Sequence, residues 1–206
     1  KALALSPFFV QGRLRAAEAA FYDSEIAPHL PPVLLDFHAH VWSRAGWRSV
    51  PWEGTARGST YMVTGEEYPV ECLLADAACA FPGREYRAVC FGHPGPQVDN
   101  EKDTAMVAAA GRVRGIYPLM VAGAELGVAQ EVLGRRIDAH GFLGYKVFLN
   151  WQGDDYGNKR VQDMLSANEM DLADRRGLVV LLHVPRAGRL ADPEIQHGVQ
   201  WLAGSW

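Results

Sequence analysis

The sequence has little of what would direct a protein to a membrane, an oxidising compartment or a nucleic acid. No apolar run approaches the roughly 20 residues of a membrane-spanning helix. The net charge of −4 predicts no basic surface for nucleic acid. The three cysteines, Cys72, Cys79 and Cys90, lie in apolar segments and lack zinc-type spacing. They are expected to be buried, reduced thiols, which favours a cytoplasmic protein.

Apolar strands and amphipathic helices alternate along the 206 residues. Five strands are predicted, at residues 33–37, 86–91, 115–121, 144–149 and 178–184. From the second strand onward, each begins about thirty residues after the one before, which is typical of βαβ units in a parallel sheet. No G-x-G-x-x-G motif follows the first strand, so a nucleotide-binding sheet has no support. The rhythm predicts an α/β fold, either part of a barrel or an open doubly wound sheet.

Helices are predicted before the first strand and after each strand. Their ranges are 8–26, 69–81, 100–113, 125–139, a segment ending before Gly177, and a segment beginning at Pro193. Ser166 and Glu169 have the spacing of a capping box at the start of the fifth helix. Asn100 and Asp103 are interpreted as the cap and the first-turn acid of the third.

The first predicted strand ends in three chemically useful side chains. The run VLLDFHAHV places Asp36, His38 and His40 at alternate positions. Because side chains alternate between the two faces of a strand, these three are expected to share one face. Two imidazoles so placed can bind one metal cation, and Asp36 can orient a ligand or lie just outside the ligand set. The alternative is two polar residues at a strand end, since H-x-H alone has low specificity.

A third histidine follows the fifth predicted strand. The run LVVLLHV places His183 at the carboxyl end of that strand, as His38 and His40 lie at the end of the first. In a barrel of parallel strands, the carboxyl ends meet at one mouth, where active sites lie. Three histidines from two strands therefore predict a metal site. A core histidine with satisfied hydrogen bonds is the alternative for His183.

The fourth predicted strand, GYKVFL, carries a lysine near its middle. Lys146 is placed on the face shared with Phe148 and Asn150. A buried lysine is costly unless it is paired, so we expect it to meet a carboxylate or the metal centre. It either bridges two metals after reaction with carbon dioxide or, as a salt-bridge lysine, only shapes the pocket.

The runs DFHAHVW, GYKVFLNW and LLHVPRAGRLADPE resemble sequences of the amidohydrolase superfamily, in particular its amidohydrolase-related branch of metal-dependent TIM-barrel hydrolases. The resemblance extends from about residue 33 to the end of the chain. It implies an incomplete (β/α)8 TIM barrel that covers strands 1 to 5, with an N-terminal lead-in helix. Residues 1–32 would form that helix and a linker, and residues 33–206 the partial barrel.

By the same resemblance, His38, His40 and His183 are expected to be ligands of a divalent metal, with zinc first and manganese or iron as alternatives. Lys146 falls near the strand-four lysine that is carboxylated in the binuclear members of the superfamily. Mononuclear members do without that lysine, so the resemblance leaves the number of metals open.

Two residues that the resemblance implies have no counterpart in the sequence. Members of the superfamily carry a further histidine at the end of strand six and a metal-binding aspartate, the general base, at the end of strand eight. Both would lie beyond Trp206. Since the sequence also begins at Lys1 without a methionine, it reads as a fragment, and the fragment alone is expected to be inactive.

Other residues near the predicted mouth are candidates for a substrate pocket. His93, in FGHPGP after the second strand, either contacts substrate or serves a turn. The aromatic-rich stretch 42–65 is either a lid or subunit contact over the histidines, or a packed surface excursion.

Two further pairs follow later strands. Asn150 and Trp151 come after the fourth strand, and Arg186 and Arg189 come after His183. These side chains suit recognition of a carboxylate or another hydrogen-bonding group. The arginines suit structural pairing with nearby acids, Asp192 among them, equally well.

Three functions are left open by the sequence. The leading hypothesis is a metal-dependent hydrolase that acts on an amide, lactone or related carbonyl compound. The second is non-oxidative decarboxylation of an aromatic or unsaturated acid at the same site. The third is a non-catalytic half-barrel that associates through its open edges. The expected partners are a small-molecule substrate and a second copy of the chain, with no nucleic acid or membrane.

Overall fold

The structure, a computed structural model, describes residues 16–48, 67–93, 98–123, 126–147, 158–184 and 186–205. It is a mixed α/β fold. The strands are β1 (Val33–His40), β2 (Glu85–Phe91), β3 (Ile116–Pro118), β4 (Met120–Ala122), β5 (Gly144–Val147) and β6 (Val179–Leu182). The helices are α1 (Ala16–Phe21), α2 (Val70–Ala80), α3 (Asn100–Ala110), α4 (Gln130–His140), α5 (Ala167–Arg176) and α6 (Pro193–Ser205).

All of these strands pair in parallel, and they form two sheets of three strands each. Their orders are β1-β2-β3 and β4-β5-β6. The parallel pairing confirms the predicted α/β class. The described strands form two open sheets rather than one continuous arc of a barrel, and the predicted incomplete (β/α)8 barrel stays a prediction.

The predicted third strand is divided at Leu119. The part before it pairs with β2 and the part after it with β5. Pro118 has no N–H to donate, which interrupts the ladder there. Two backbone bonds cross the interruption: the Leu119 N–H donates to the Cys90 carbonyl at 2.8 Å, and the Leu143 N–H donates to the Pro118 carbonyl at 2.9 Å. These bonds place the two sheets side by side.

Helix α5 follows its predicted start and end signals, whereas the predicted start of α3 is shifted. In α5 the Ser166 hydroxyl accepts the Glu169 N–H, and the Glu169 carboxylate accepts the Ser166 N–H, so the predicted capping box is confirmed. Helix α5 ends at Gly177, which has a left-handed φ of 60°. The predicted cap of α3 is wrong by one residue, because Asp99 rather than Asn100 accepts the first-turn N–H groups.

The described part of the lead-in helix consists of α1, a π-helical turn and a 3-10 turn, at Ala16–Phe21, Tyr22–Ile26 and Ala27–His29. Its predicted beginning, before residue 16, lies outside the described residues. The Tyr22 hydroxyl donates to the Pro82 carbonyl at 3.3 Å, which attaches this segment to the turn before β2. No described helix is both long and apolar enough to cross a membrane.

The described cysteines form no disulfide bond. Cys72 and Cys90 are buried, as predicted, and Cys79 is half-buried. Burial raises the pKa of the Cys90 thiol to about 12, so this thiol stays protonated and packs as a small apolar group.

The sheets carry a cluster of apolar side chains on each face. The larger cluster includes Ala88 and Cys90 of β2 together with residues of α2, α3, α4 and α5. The smaller cluster consists of Val89, Phe91, Leu119 and Val121. Because neighbouring residues of a strand point to opposite faces, the smaller cluster lies on the face away from the helices. We call this the inner face.

Gly144 allows β5 to approach β6. A Cβ atom on Gly144 would lie 1.8 Å from the carbonyl oxygen of Val179. We expect Gly144→Ala to lower the free energy of unfolding by about 2 kcal/mol or more, since backbone must shift to admit the methyl group. Urea unfolding followed by circular dichroism measures this loss.

Gly204→Ala is the matched control, because a Cβ atom at this position in α6 meets nothing within 4 Å. It should leave stability unchanged or raise it by up to about 1 kcal/mol. Equal effects of the two substitutions would contradict the close approach at Gly144.

Candidate metal centre

The two histidines of β1 reach the inner face because the strand contains one extra residue. Asp36 pairs with Ala88, and His40 pairs with Phe91, so the register shifts by one between these two pairs. Asp36 therefore lies on the helix side with Ala88, whereas His40 lies on the inner face with Phe91. The prediction that Asp36 shares a face with the histidines is wrong, because a one-residue shift reverses the alternation.

The Asp36 carboxylate accepts two hydrogen bonds, neither of them from a histidine ring. It accepts the Tyr86 hydroxyl at 2.7 Å and the His38 backbone N–H at 2.8 Å. The second bond fixes the backbone at the shift in register. Asp36 thus shapes the strand that carries the histidines.

The imidazoles of His38 and His40 gather around Phe91. Their ring centroids are 5.4 Å apart. Each packs edge-on against the Phe91 ring, at 5.0 Å for His38 and 4.7 Å for His40. His40 Nδ1 lies 3.1 Å from the carbonyl oxygen of Gly92. Because a carbonyl only accepts, this bond puts the proton on Nδ1 and the lone pair on Nε2.

Lys146 joins this group from β5. Its register partners are Val121 and Leu181, both of the inner face. The residue is fully buried, and its Nζ lies over the Phe91 ring, 5.1 Å from the centroid. Burial lowers the pKa of the amine to about 8. The predicted meeting with a carboxylate or a metal stays a prediction.

His183 directly follows β6. Its N–H donates to the Val147 carbonyl at 3.0 Å, which continues the β5–β6 ladder. It lies two residues beyond Leu181, the register partner of Lys146. Continued alternation along the strand places it on the inner face. Its imidazole is close enough to Lys146 and His38 for their charges to act on it.

The pKa values of all three imidazoles are lowered, which favours the neutral form. Burial, with the charge of Lys146, lowers the pKa of both His38 and His183, although both side chains remain solvent-exposed overall. Deeper burial lowers the pKa of His40 to about 3. Neutral imidazole is the form that binds a metal, so the protonation states fit a metal-binding role.

The donor types also fit a divalent transition metal, since imidazole suits zinc, iron and related ions. Within the described ranges, no three His, Cys, Asp or Glu side chains already form a group that could hold a metal ion. The histidines are therefore neighbours at the carboxyl ends of β1 and β6 rather than a closed set of ligands.

His93 is predicted as a substrate-pocket residue, and the structure buries it to 2% exposure. Its ring packs against Trp47 at 4.4 Å and lies 6.2 Å from Trp42. The described start of the 42–65 stretch therefore packs onto the end of β2. The substrate role of His93 stays a prediction.

The two arginines after His183 differ. Arg186 donates to the Asp192 carboxylate at 2.9 Å and to the Asn158 carbonyl at 3.1 Å, so the structural pairing foreseen as an alternative is present. Arg189 is exposed, and its charge acts on His183. Asn150 and Trp151 lie outside the described residues.

Asp103 is an acid in the first turn of α3, as predicted. Its side chain is nevertheless buried: it is only 3% exposed and lies against Gly92. The helical spacing is consistent with this burial, because Asp103 is one turn before Val107, an apolar residue that is buried in the structure. Burial raises the pKa of Asp103 to about 7.

Comparison with known proteins found no match among family models, curated proteins or solved structures.

The buried carboxyl group makes stability depend on pH in a definite direction. Between about pH 4 and pH 7 the native protein keeps a proton on Asp103 that the unfolded chain has lost. The contribution of this group to stability therefore falls as pH rises through that window. Across this pH window, the free energy of unfolding of the wild type should fall by about 4 kcal/mol at most relative to that of Asp103→Asn.

Urea unfolding of both proteins at pH 4, 5.5, 7 and 8 measures this difference. The contributions of the histidine pKa shifts cancel in the difference between the two unfolding free energies, because both proteins contain the same histidines. A constant difference in unfolding free energy across the four pH values would contradict a buried, protonated Asp103.

Proposed function

We propose that His38, His40 and His183 bind a divalent metal, zinc first and manganese or iron otherwise, and that the site serves a metal-dependent hydrolase. The observation that carries the proposal is that His38 and His40, at the carboxyl end of β1, and His183, directly after β6, lie close enough for their charges to act on one another. In addition, the positive charge of Lys146 lowers the pKa of all three histidines.

The proposed scaffold is the amidohydrolase-related (β/α)8 barrel. Its support is the sequential order of parallel strands and the segregation of two apolar clusters on opposite faces. In a barrel, the helix side holds the larger cluster and the interior holds the smaller one. Under this proposal the inner face is the barrel interior, and the histidines lie at its catalytic end.

A divalent ion bound there would supply Lewis acidity, lowering the pKa of a water molecule and polarising a substrate carbonyl. The hydrogen bond to the Gly92 carbonyl places the proton of His40 on Nδ1 and the lone pair on Nε2. Lys146 would either help to hold the metal as a carbamate, after its neutral amine has added carbon dioxide and released a proton, or shape the pocket beneath the histidines. Arg189 offers an exposed cation beside His183 for an anionic group of the substrate. The proposed substrates are amides, lactones and related carbonyl compounds.

Metal binding is the direct test, because it requires only residues already placed. We expect the wild-type chain to bind zinc and His183→Ala to bind it at least tenfold more weakly. Loss of an outer partner alone typically weakens binding about 10- to 100-fold, and loss of a ligand should cost at least as much. Isothermal titration calorimetry with zinc measures both affinities.

His197→Ala is the matched control, because His197 is an exposed histidine of α6. It should bind zinc as the wild type does. Equal affinities of the His183→Ala and wild-type chains would remove His183 from the site, and absence of zinc binding by the wild type would overturn the metal proposal.

Non-oxidative decarboxylation is the second candidate. It is favoured by two cationic side chains, Lys146 and Arg189, whose charges both act on His183. Such cations suit a carboxylate substrate. With a panel of esters, amides, lactones and unsaturated acids, hydrolysis predicts a new acid or amine without gas. Release of carbon dioxide from an acid would favour decarboxylation instead.

A further inference from the structure

We propose that Asp103 is a positioning residue for His40, acting through the peptide group that joins Gly92 to His93. The inference rests on the proposed function in one respect, namely that His40 is a metal ligand. The hydrogen bonds of the Gly92–His93 peptide group do not depend on that assignment.

The link consists of two hydrogen bonds on one peptide group. Oδ1 of the Asp103 carboxyl group accepts the His93 N–H at 3.3 Å, in a buried position. The carbonyl oxygen of the same peptide group belongs to Gly92 and lies 3.1 Å from His40 Nδ1. A trans peptide is planar, with its N–H and C=O pointing in opposite directions. Holding the N–H toward α3 therefore holds the C=O toward β1.

Asp103 is itself held in place. It lies in the first turn of α3, where its N–H donates to the Asp99 carbonyl at 2.9 Å. Asp99 caps the helix by accepting the N–H groups of Glu101 and Lys102. The Asp99 N–H in turn donates to the Gly46 carbonyl at 2.8 Å. These bonds fix the position from which the carboxylate acts.

Residue 92 must be glycine for the carboxylate to come this close. A Cβ atom there would lie 1.6 Å from Asp103 Oδ2 and 2.5 Å from Oδ1. Real Cβ atoms do not approach an oxygen so closely, and Asp103 is buried and cannot swing into solvent. The close approach explains why a glycine precedes His93.

The consequence for His40 is a single tautomer. With Nδ1–H bound to the Gly92 carbonyl, the lone pair is on Nε2, where the ring can bind a metal. The opposite tautomer would carry its proton on Nε2 and could not bind a metal through that atom. Asp103 polarises the peptide from the far side, which strengthens the acceptor that selects the tautomer.

The experiment compares Asp103→Ala, Asp103→Asn and Thr104→Val with the wild-type chain. Asparagine keeps an oxygen that accepts the His93 N–H, whereas alanine has none. Thr104 is the matched control, because it is the next residue of α3 and is also buried. The first readout is the nitrogen-15 chemical shifts of the His40 ring in metal-free protein at pH 7, which report the tautomer. The second is zinc affinity by calorimetry.

We expect the wild type, Asp103→Asn and Thr104→Val to hold His40 as the Nδ1–H tautomer, and Asp103→Ala to populate both tautomers. Zinc affinity should fall about 10- to 100-fold in Asp103→Ala alone. Unchanged ring shifts and affinity in Asp103→Ala would overturn the positioning role. A general packing defect would affect Thr104→Val as well, and that result would also count against it.

The wild type provides a test that needs no variant to fold. An Nε2–H tautomer of His40 in the metal-free wild-type chain would overturn the proposal. The two readouts also separate the two proposals: absence of zinc binding by the wild type overturns the metal site, while the tautomer, measured without metal, decides the role of Asp103.

Discussion

The candidate site depends on the pairing of β1 with β2, and above all on the one extra residue in β1. Without it, the register at Asp36 would continue and pair His38 with Cys90, on the helix side. The shift instead pairs Ala39 with Cys90 and His40 with Phe91. A change of one residue moves a whole set of side chains to the other face of a strand. The bulge therefore decides that the histidines face away from the helices.

Once on that face, the histidines share a small apolar environment with a buried amine. Phe91 is the common surface, since both β1 imidazoles and the Lys146 ammonium group contact its ring. Charge is costly in such surroundings, so burial lowers the pKa of both kinds of group. The lowered pKa values favour the neutral form of the histidines and bring the amine nearer to its neutral form than a lysine in water. This is the electrostatic state in which imidazoles bind cations and a lysine can react.

A second constraint comes from α3 and reaches β1 through a single peptide group. Asp103 on one side and His40 on the other bind opposite ends of the Gly92–His93 peptide. Because the peptide is planar, the orientation of its two ends is linked. The helix therefore contributes to the site without any of its side chains entering it. Gly92 is part of the same arrangement, since the Cβ atom of any other residue would clash with the Asp103 carboxyl group.

The sequence alone determined the local features: the strand and helix positions, the Ser166 capping box, and the apolar runs that end in His40 and His183. Each follows from periodicity, capping and hydrophobicity, which depend only on residues close together in the chain. Only the tertiary structure decided that β1 carries a bulge, that the third strand divides at Leu119, and that Asp103 is buried against the end of β2. These outcomes depend on which strand or helix lies alongside, and residues far apart in the chain set that by packing.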